Sequence, residues 1–162
     1  TGMQGLHDPT VLELGTPSGA KPTRLLLSHG DALCLDDHEY LAFRDQVRQP
    51  AWQTAFLNKP LAERQAYARS IRTQSEARKQ ITTDYADVDA QAATDWLHHT
   101  QCQTLVHGHT HKPAVHALGQ GLSRWCLSDW HANATSPRLE VVSWLRHPDN
   151  SPTQGLCRTP LA

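Results

Sequence analysis

The alternation of apolar and polar positions divides the chain into strand-like and helix-like stretches. Thr10-Val-Leu-Glu-Leu14 reads as a short strand, and residues 15–22, which hold Gly, Pro and Ser, as a hairpin-like turn. Arg24-Leu-Leu-Leu-Ser28 is a continuous apolar run bounded by turn residues, which predicts a buried strand. The period then lengthens. Tyr40, Leu41, Phe43 and Val47 recur at helical spacing, Asp36 or Asp37 can cap the start, and Pro50 breaks the run. Trp52, Ala55, Phe56 and Leu57 predict a short second helix that stops near Asn58-Lys59-Pro60. Leu61 to Thr73 predicts a third, with Leu61, Tyr67, Ala68 and Ile71 on one side. The strongest helix follows Asp87, a cap candidate. Val88, Ala92, Trp96 and Leu97 form its apolar stripe, and His98 and His99 fall in its last turn, where cations are favoured. Strands are predicted over 102–106, 114–118, 122–127 and 138–145, with Gly119-Gln-Gly121 as a hairpin turn. From His147 onward, Pro148, Pro152, Gly155 and Pro160 predict a loosely ordered tail at 148–162.

Strands, a helical insertion at 36–80, a helix and then more strands describe an α/β layered domain with a helical cap. A length of 162 residues suits one core. The formal net charge of −1 gives no global electrostatic case for nucleic acid. No apolar run approaches the ~20 residues that span a bilayer. Thr1 to His7 shows no signal-peptide pattern and reads as a chain entered mid-domain. Cys34, Cys102, Cys126 and Cys157 are widely spaced and read as thiols in a reducing compartment.

The candidate chemistry lies in two histidine turns. Leu105-Val-His-Gly-His-Thr-His-Lys-Pro113 places three histidines in five residues, after an apolar strand expected to end at Val106. Neutral imidazole is the commonest side-chain metal ligand. His109 and His111 are two apart, so extended backbone would send both rings to one side, and Gly108 would let the chain approach an ion or phosphate. A second turn, His29-Gly30-Asp31, also follows a buried strand, and strand ends are where layered α/β folds place chemistry. Residues 63–79 carry five basic side chains (Arg64, Arg69, Arg72, Arg78, Lys79) against Glu63 and Glu76, which reads as a solvated helix face or as an anion site.

Ser28-His29-Gly30-Asp31 and, far downstream, Gly108-His109-Thr110-His111 resemble the last two metal motifs of calcineurin-like metallophosphoesterases. The run from His29 to Asp37, then Tyr40, Phe43-Arg44, Pro50, Phe56-Leu57, Asp87-Val88, residues 107–116 and Trp130-His131, is similar to UDP-2,3-diacylglucosamine diphosphatases of lipid A synthesis within that superfamily. The resemblance covers about residues 10–147. It implies a C-terminal portion of an αββα sandwich, with 36–80 as a helical lid.

It also implies water-mediated hydrolysis of the diphosphate of UDP-2,3-diacylglucosamine to UMP and 2,3-diacylglucosamine 1-phosphate (lipid X), with two Mn²⁺ ions clamping the reacting oxygens. His29 and His109 would serve one ion and His111 the other, with His109 also the catalytic residue and His107 behind the ligands at the strand end. Asp37, Tyr40, Phe43, Phe56, Arg72, Ser75 and Lys79 match substrate-contacting positions. The implied setting is cytoplasmic and peripheral to the inner membrane. The family's D-x-H, GD and GN-x-D motifs do not precede His29 here. The chain alone is therefore expected to be inactive, and to meet a missing N-terminal half or self-associate. A non-catalytic metal- or anion-binding fragment, and a phosphoesterase for a soluble nucleotide or phosphoester, are the alternatives.

Overall fold

The computed structural model describes residues 2, 5–15, 21–81, 86–131, 137–145 and 155–161. The chain divides into two compact units, one of Thr1–Leu33 with Val88–Ala162 and one of Cys34–Asp87.

In the first unit the apolar runs become a five-stranded mixed sheet. Its strands are β1 (Thr10–Leu14), β2 (Thr23–Ser28), β3 (Thr104–His107), β4 (Ala114–Gly119) and β5 (Leu122–Cys126). The spatial order is β1-β2-β3-β5-β4. The central pairs β2–β3 and β3–β5 are parallel, and the flanking pairs β1–β2 and β4–β5 are antiparallel. Ser28 stands beside His107 in the register, and His107 beside Cys126, so the C-terminal ends of β2, β3 and β5 lie side by side. That alignment brings the two histidine turns together. Strand β3 runs through His107, one residue beyond the expected end at Val106.

The first helix of this unit, Ala90–Thr100, packs on the sheet and buries Ala93 and Leu97. Those two, with Val88, are the inward positions, whereas Ala92 and Trp96 of the predicted stripe are only half-buried. Its cap is Asp89, not Asp87: the Asp89 carboxylate accepts from the amide of Ala92 at 2.7 Å. The core is Leu25, Leu26, Leu105, Leu97 and Cys126, nearly or wholly removed from solvent. Burying one such leucine contributes about 1.5–3 kcal/mol.

Residues 155–160, expected in a loose tail, form a strand. Glu140–Leu145 (β6) and Gly155–Pro160 (β7) pair antiparallel as a second, two-stranded sheet. Arg158 ties that sheet to the first. It donates to the Glu140 carboxylate at 2.8 Å and to the Cys126 carbonyl at 2.6 Å, contacts no local pattern could foresee. Residues 148–154 of the expected tail lie outside the described residues.

The second unit is helical, as expected. Taking the helices in chain order, α1 is His38–Val47, α2 is Pro50–Leu57 and α3 is Leu61–Ile81, which makes Ala90–Thr100 α4. Pro50 opens α2 rather than only ending α1, because the first helical position needs no amide donor. Helix α3 continues past Thr73 to Ile81. Trp52 stacks on Phe56 with ring centroids 4.9 Å apart, and Tyr67 of α3 meets Phe56 at 5.5 Å and Trp52 at 6.0 Å. Each aromatic pair contributes about 0.5–1.5 kcal/mol beyond its area. These rings, with Ala55, Lys59 and Glu63, line a cavity of about 230 Å³.

All four cysteines are free thiols, three of them buried. Among the described residues no helix is long and apolar enough to cross a membrane.

Candidate functional site

The two histidine turns meet at the carboxyl ends of β2 and β3. The amide of Gly108 donates to the carbonyl of His29 at 3.1 Å. Gly30 (φ +98°) packs on the next ring: a Cβ there would lie 3.0 Å from Nδ1 of His107 and 3.3 Å from the Gly108 carbonyl oxygen. Glycine is required at this point by both its dihedral and the close approach. The result is a pair of imidazoles, His29 and His109, with centroids 5.0 Å apart and planes inclined at 62°.

Supporting groups hold each ring. Nδ1 of His29 is 3.3 Å from the buried carboxylate of Asp31. Asp8, on the segment before β1, accepts from the Ser28 hydroxyl at 2.7 Å and from the His29 amide at 3.2 Å. Ser28 Oγ in turn accepts from the Gly30 amide at 3.0 Å. Asp8 thus fixes the backbone from which His29 projects. On the other turn, His111 Nδ1 lies 3.8 Å from Asp129, which also pairs with Arg138. The hydroxyl of Thr110 contacts the Cys126 thiol at 3.1 Å.

His109 and His111 do not sit in extended backbone. Both are left-handed, with φ of +63° and +51°, so their rings are not presented by simple strand alternation. His29 and His109 come together, whereas His111 lies beside Asp129. His107 is fully buried, behind both turns.

The remaining candidates belong to the helical unit. Asp37 caps α1, accepting from the Tyr40 amide at 3.1 Å. Tyr40 and Phe43 lie close on α1, with centroids 6.4 Å apart. Phe56 is in the aromatic cluster, and Arg72 and Ser75 are exposed on α3. The side chain of Lys79 lies outside the described residues.

Sequence reasoning passed over Asp8, Arg124, Asp129 and Arg138. Arg124 did carry a signal. It sits in phase with Leu122 and Cys126, the inward positions of β5, where a charged residue is out of place without a partner. Asp8 carried none, since it reaches its partners across 20 residues.

Curated proteins similar to the chain are UDP-2,3-diacylglucosamine hydrolases. That of Chromobacterium violaceum is 50% identical over 133 residues, 81% of this chain and 53% of the relative. That of Aromatoleum aromaticum is 46% identical over 133 residues, 80% of this chain and 52% of the relative. That of Stenotrophomonas maltophilia is 39% identical over 158 residues, 88% of this chain and 60% of the relative. The chain is related to the UDP-2,3-diacylglucosamine hydrolases. It spans about half to three-fifths of the length of these relatives. No family model matches it.

Whether these side chains alone suit the expected Mn²⁺ ions can be tested on their chemistry. Manganese favours carboxylate and carbonyl oxygen, whereas the two rings brought together here offer imidazole nitrogen. Among the described residues no group of three or more His, Cys, Asp or Glu side chains could hold a metal ion. The described residues therefore do not complete a metal site, although they bring together two imidazoles suited to be part of one.

Proposed function

We propose that a protein containing this chain hydrolyses the diphosphate of UDP-2,3-diacylglucosamine, releasing UMP and 2,3-diacylglucosamine 1-phosphate. The observation that carries this is the His29–His109 pair, built by two turns at adjacent strand ends. The names of the relatives supply the substrate. In this reading His29 and His109 contribute to one Mn²⁺ and His111 to a second, and the missing donors come from outside the described residues. His109 is the catalytic residue. Helices α1–α3 act as a lid over the acyl chains. The apolar cavity lined by Trp52, Phe56 and Tyr67 is of the right character for that role. Tyr40, Phe43, Phe56 and the polar groups of Asp37, Arg72, Ser75 and Lys79 contact the substrate. The protein works in the cytoplasm at the inner-membrane surface, where its acylated substrate resides.

The test is UMP release from UDP-2,3-diacylglucosamine with added Mn²⁺. It compares the 162-residue chain with a longer chain carrying D-x-H, GD and GN-x-D motifs before His29. The longer chain is expected to turn over and to lose at least about a hundredfold in kcat on His109→Ala. The shorter chain is expected to release no UMP and to associate with a complementary half or with itself. Equal rates on UDP-N-acetylglucosamine would instead favour a soluble substrate.

A second reading rests on the two imidazoles of His29 and His109, 5.0 Å apart: the chain by itself is a non-catalytic metal- or anion-binding module. Calorimetric titration with Zn²⁺ or Ni²⁺ decides. Affinity that is unchanged in His109→Ala removes this reading.

A further inference from the structure

We infer that Arg124 is a positioning residue: through the buried ring of His107 it holds the turn that presents His109. Arg124 lies on β5 and is 6% exposed, and His107 ends β3 with no exposure. Nη1 of Arg124 is 3.3 Å from Nε2 of His107. Guanidinium can only donate, so Nε2 accepts. A doubly protonated ring would set two N–H donors against each other. The imidazole proton is therefore on Nδ1, which lies 3.0 Å from the carbonyl oxygen of Gly108 and donates to it.

Gly108 is consequently held at both of its peptide groups, the one before it and the one after it. Its N–H is bound by His29 and its C=O by His107. The His107 carbonyl accepts from the Leu127 amide at 2.7 Å, and Gly30 closes over the ring. His109 follows at φ +63°. A non-glycine residue keeps a left-handed backbone only where its surroundings over-determine it. The Thr110 amide closes on the Gly108 carbonyl at 2.8 Å around His109, and the chain Arg124 to His107 to Gly108 holds that carbonyl from the core. It acts on the turn and not on a substrate. It holds whatever the whole protein hydrolyses, so failure of the hydrolase reading leaves it standing.

The test uses the ¹⁵N-labelled 162-residue chain. In the unmodified chain, long-range ¹H–¹⁵N spectra are expected to show His107 protonated at Nδ1, with an N–N coupling across the hydrogen bond from Arg124 Nη to His107 Nε2. In Arg124→Met, which keeps length and loses the donors, the amides of Gly108 and Leu127 are expected to exchange at least about tenfold faster. The amides of Leu26 and Leu105, in the strand interiors, serve as the reference. A ring protonated at Nε2, or no coupling, overturns the inference even if Arg124→Met does not fold. Equal acceleration at Gly108 and Leu26 also overturns it, because that is global loosening and not a local effect on the turn.

Discussion

The amide of Gly108 donates to the carbonyl of His29 at 3.1 Å, across 79 residues of chain. One main-chain bond thus joins the two turns, and with them the two imidazoles that stand 5.0 Å apart. The site geometry is a property of backbone held by backbone, with side chains locking it from behind.

Gly30 is the tightest point of that junction. Gly30→Ala would place a Cβ 3.0 Å from His107 Nδ1 on a backbone at φ +98°. Strain of about 1–3 kcal/mol is expected. Urea unfolding should show a lower midpoint, and the ring–ring contact between His29 and His109 should be lost from NOE spectra. A midpoint equal to that of the unmodified chain would show that the two turns have slack.

His107 is an acceptor that the core depends on. His107→Leu preserves bulk and removes both ring nitrogens, so Arg124 loses its contact at Nε2 and Gly108 its donor. The expected cost is about 1–3 kcal/mol, the penalty for stranding a buried polar group. Chemical denaturation of the double variant His107→Leu/Arg124→Leu should recover part of that cost. If the double variant is as unstable as the sum of the singles, the two residues are not coupled.

Asp8 holds Ser28 and the His29 amide. Asp8→Ala is expected to lower stability by about 1–2 kcal/mol, the scale of bonds to a half-buried charged acceptor. It should also accelerate amide exchange at His29 and Gly30 more than at Leu26. Exchange rates that rise equally at all three would show only general destabilisation.

The helical unit rests on its aromatic cluster. Phe56→Ala removes contacts to both Trp52 and Tyr67 and is expected to cost about 1–2 kcal/mol. Faster amide exchange should be confined to α2 and the first turns of α3. In the proposed reaction the same variant should raise KM for the diacylated substrate, and an unchanged KM would separate the cluster from acyl binding.

Much of this fold was legible in one dimension. Period-two and continuous apolar runs placed β1 to β6 within a few residues, and helical spacing placed α1 to α4, because these patterns encode which face meets the core. The His-Gly pairs at the ends of two buried runs marked the site, since glycine there admits close approach. Local pattern did not distinguish Asp87 from Asp89 as the cap, and the choice followed from which carboxylate reaches the Ala92 amide. Nor could proline and glycine content reveal β7, whose order comes from its partner β6 and from Arg158 reaching the Cys126 carbonyl.

The sequence by itself determined that two imidazole-bearing turns end buried strands. Only the tertiary structure decided that β2 and β3 are neighbours in parallel register, that His109 and His111 are left-handed and meet different partners, and that Asp8 and Arg124 support the turns. The physical reason is range. Periodicity records how each residue meets water or core, whereas ring placement depends on hydrogen bonds between segments 17 to 79 residues apart, which no local window contains.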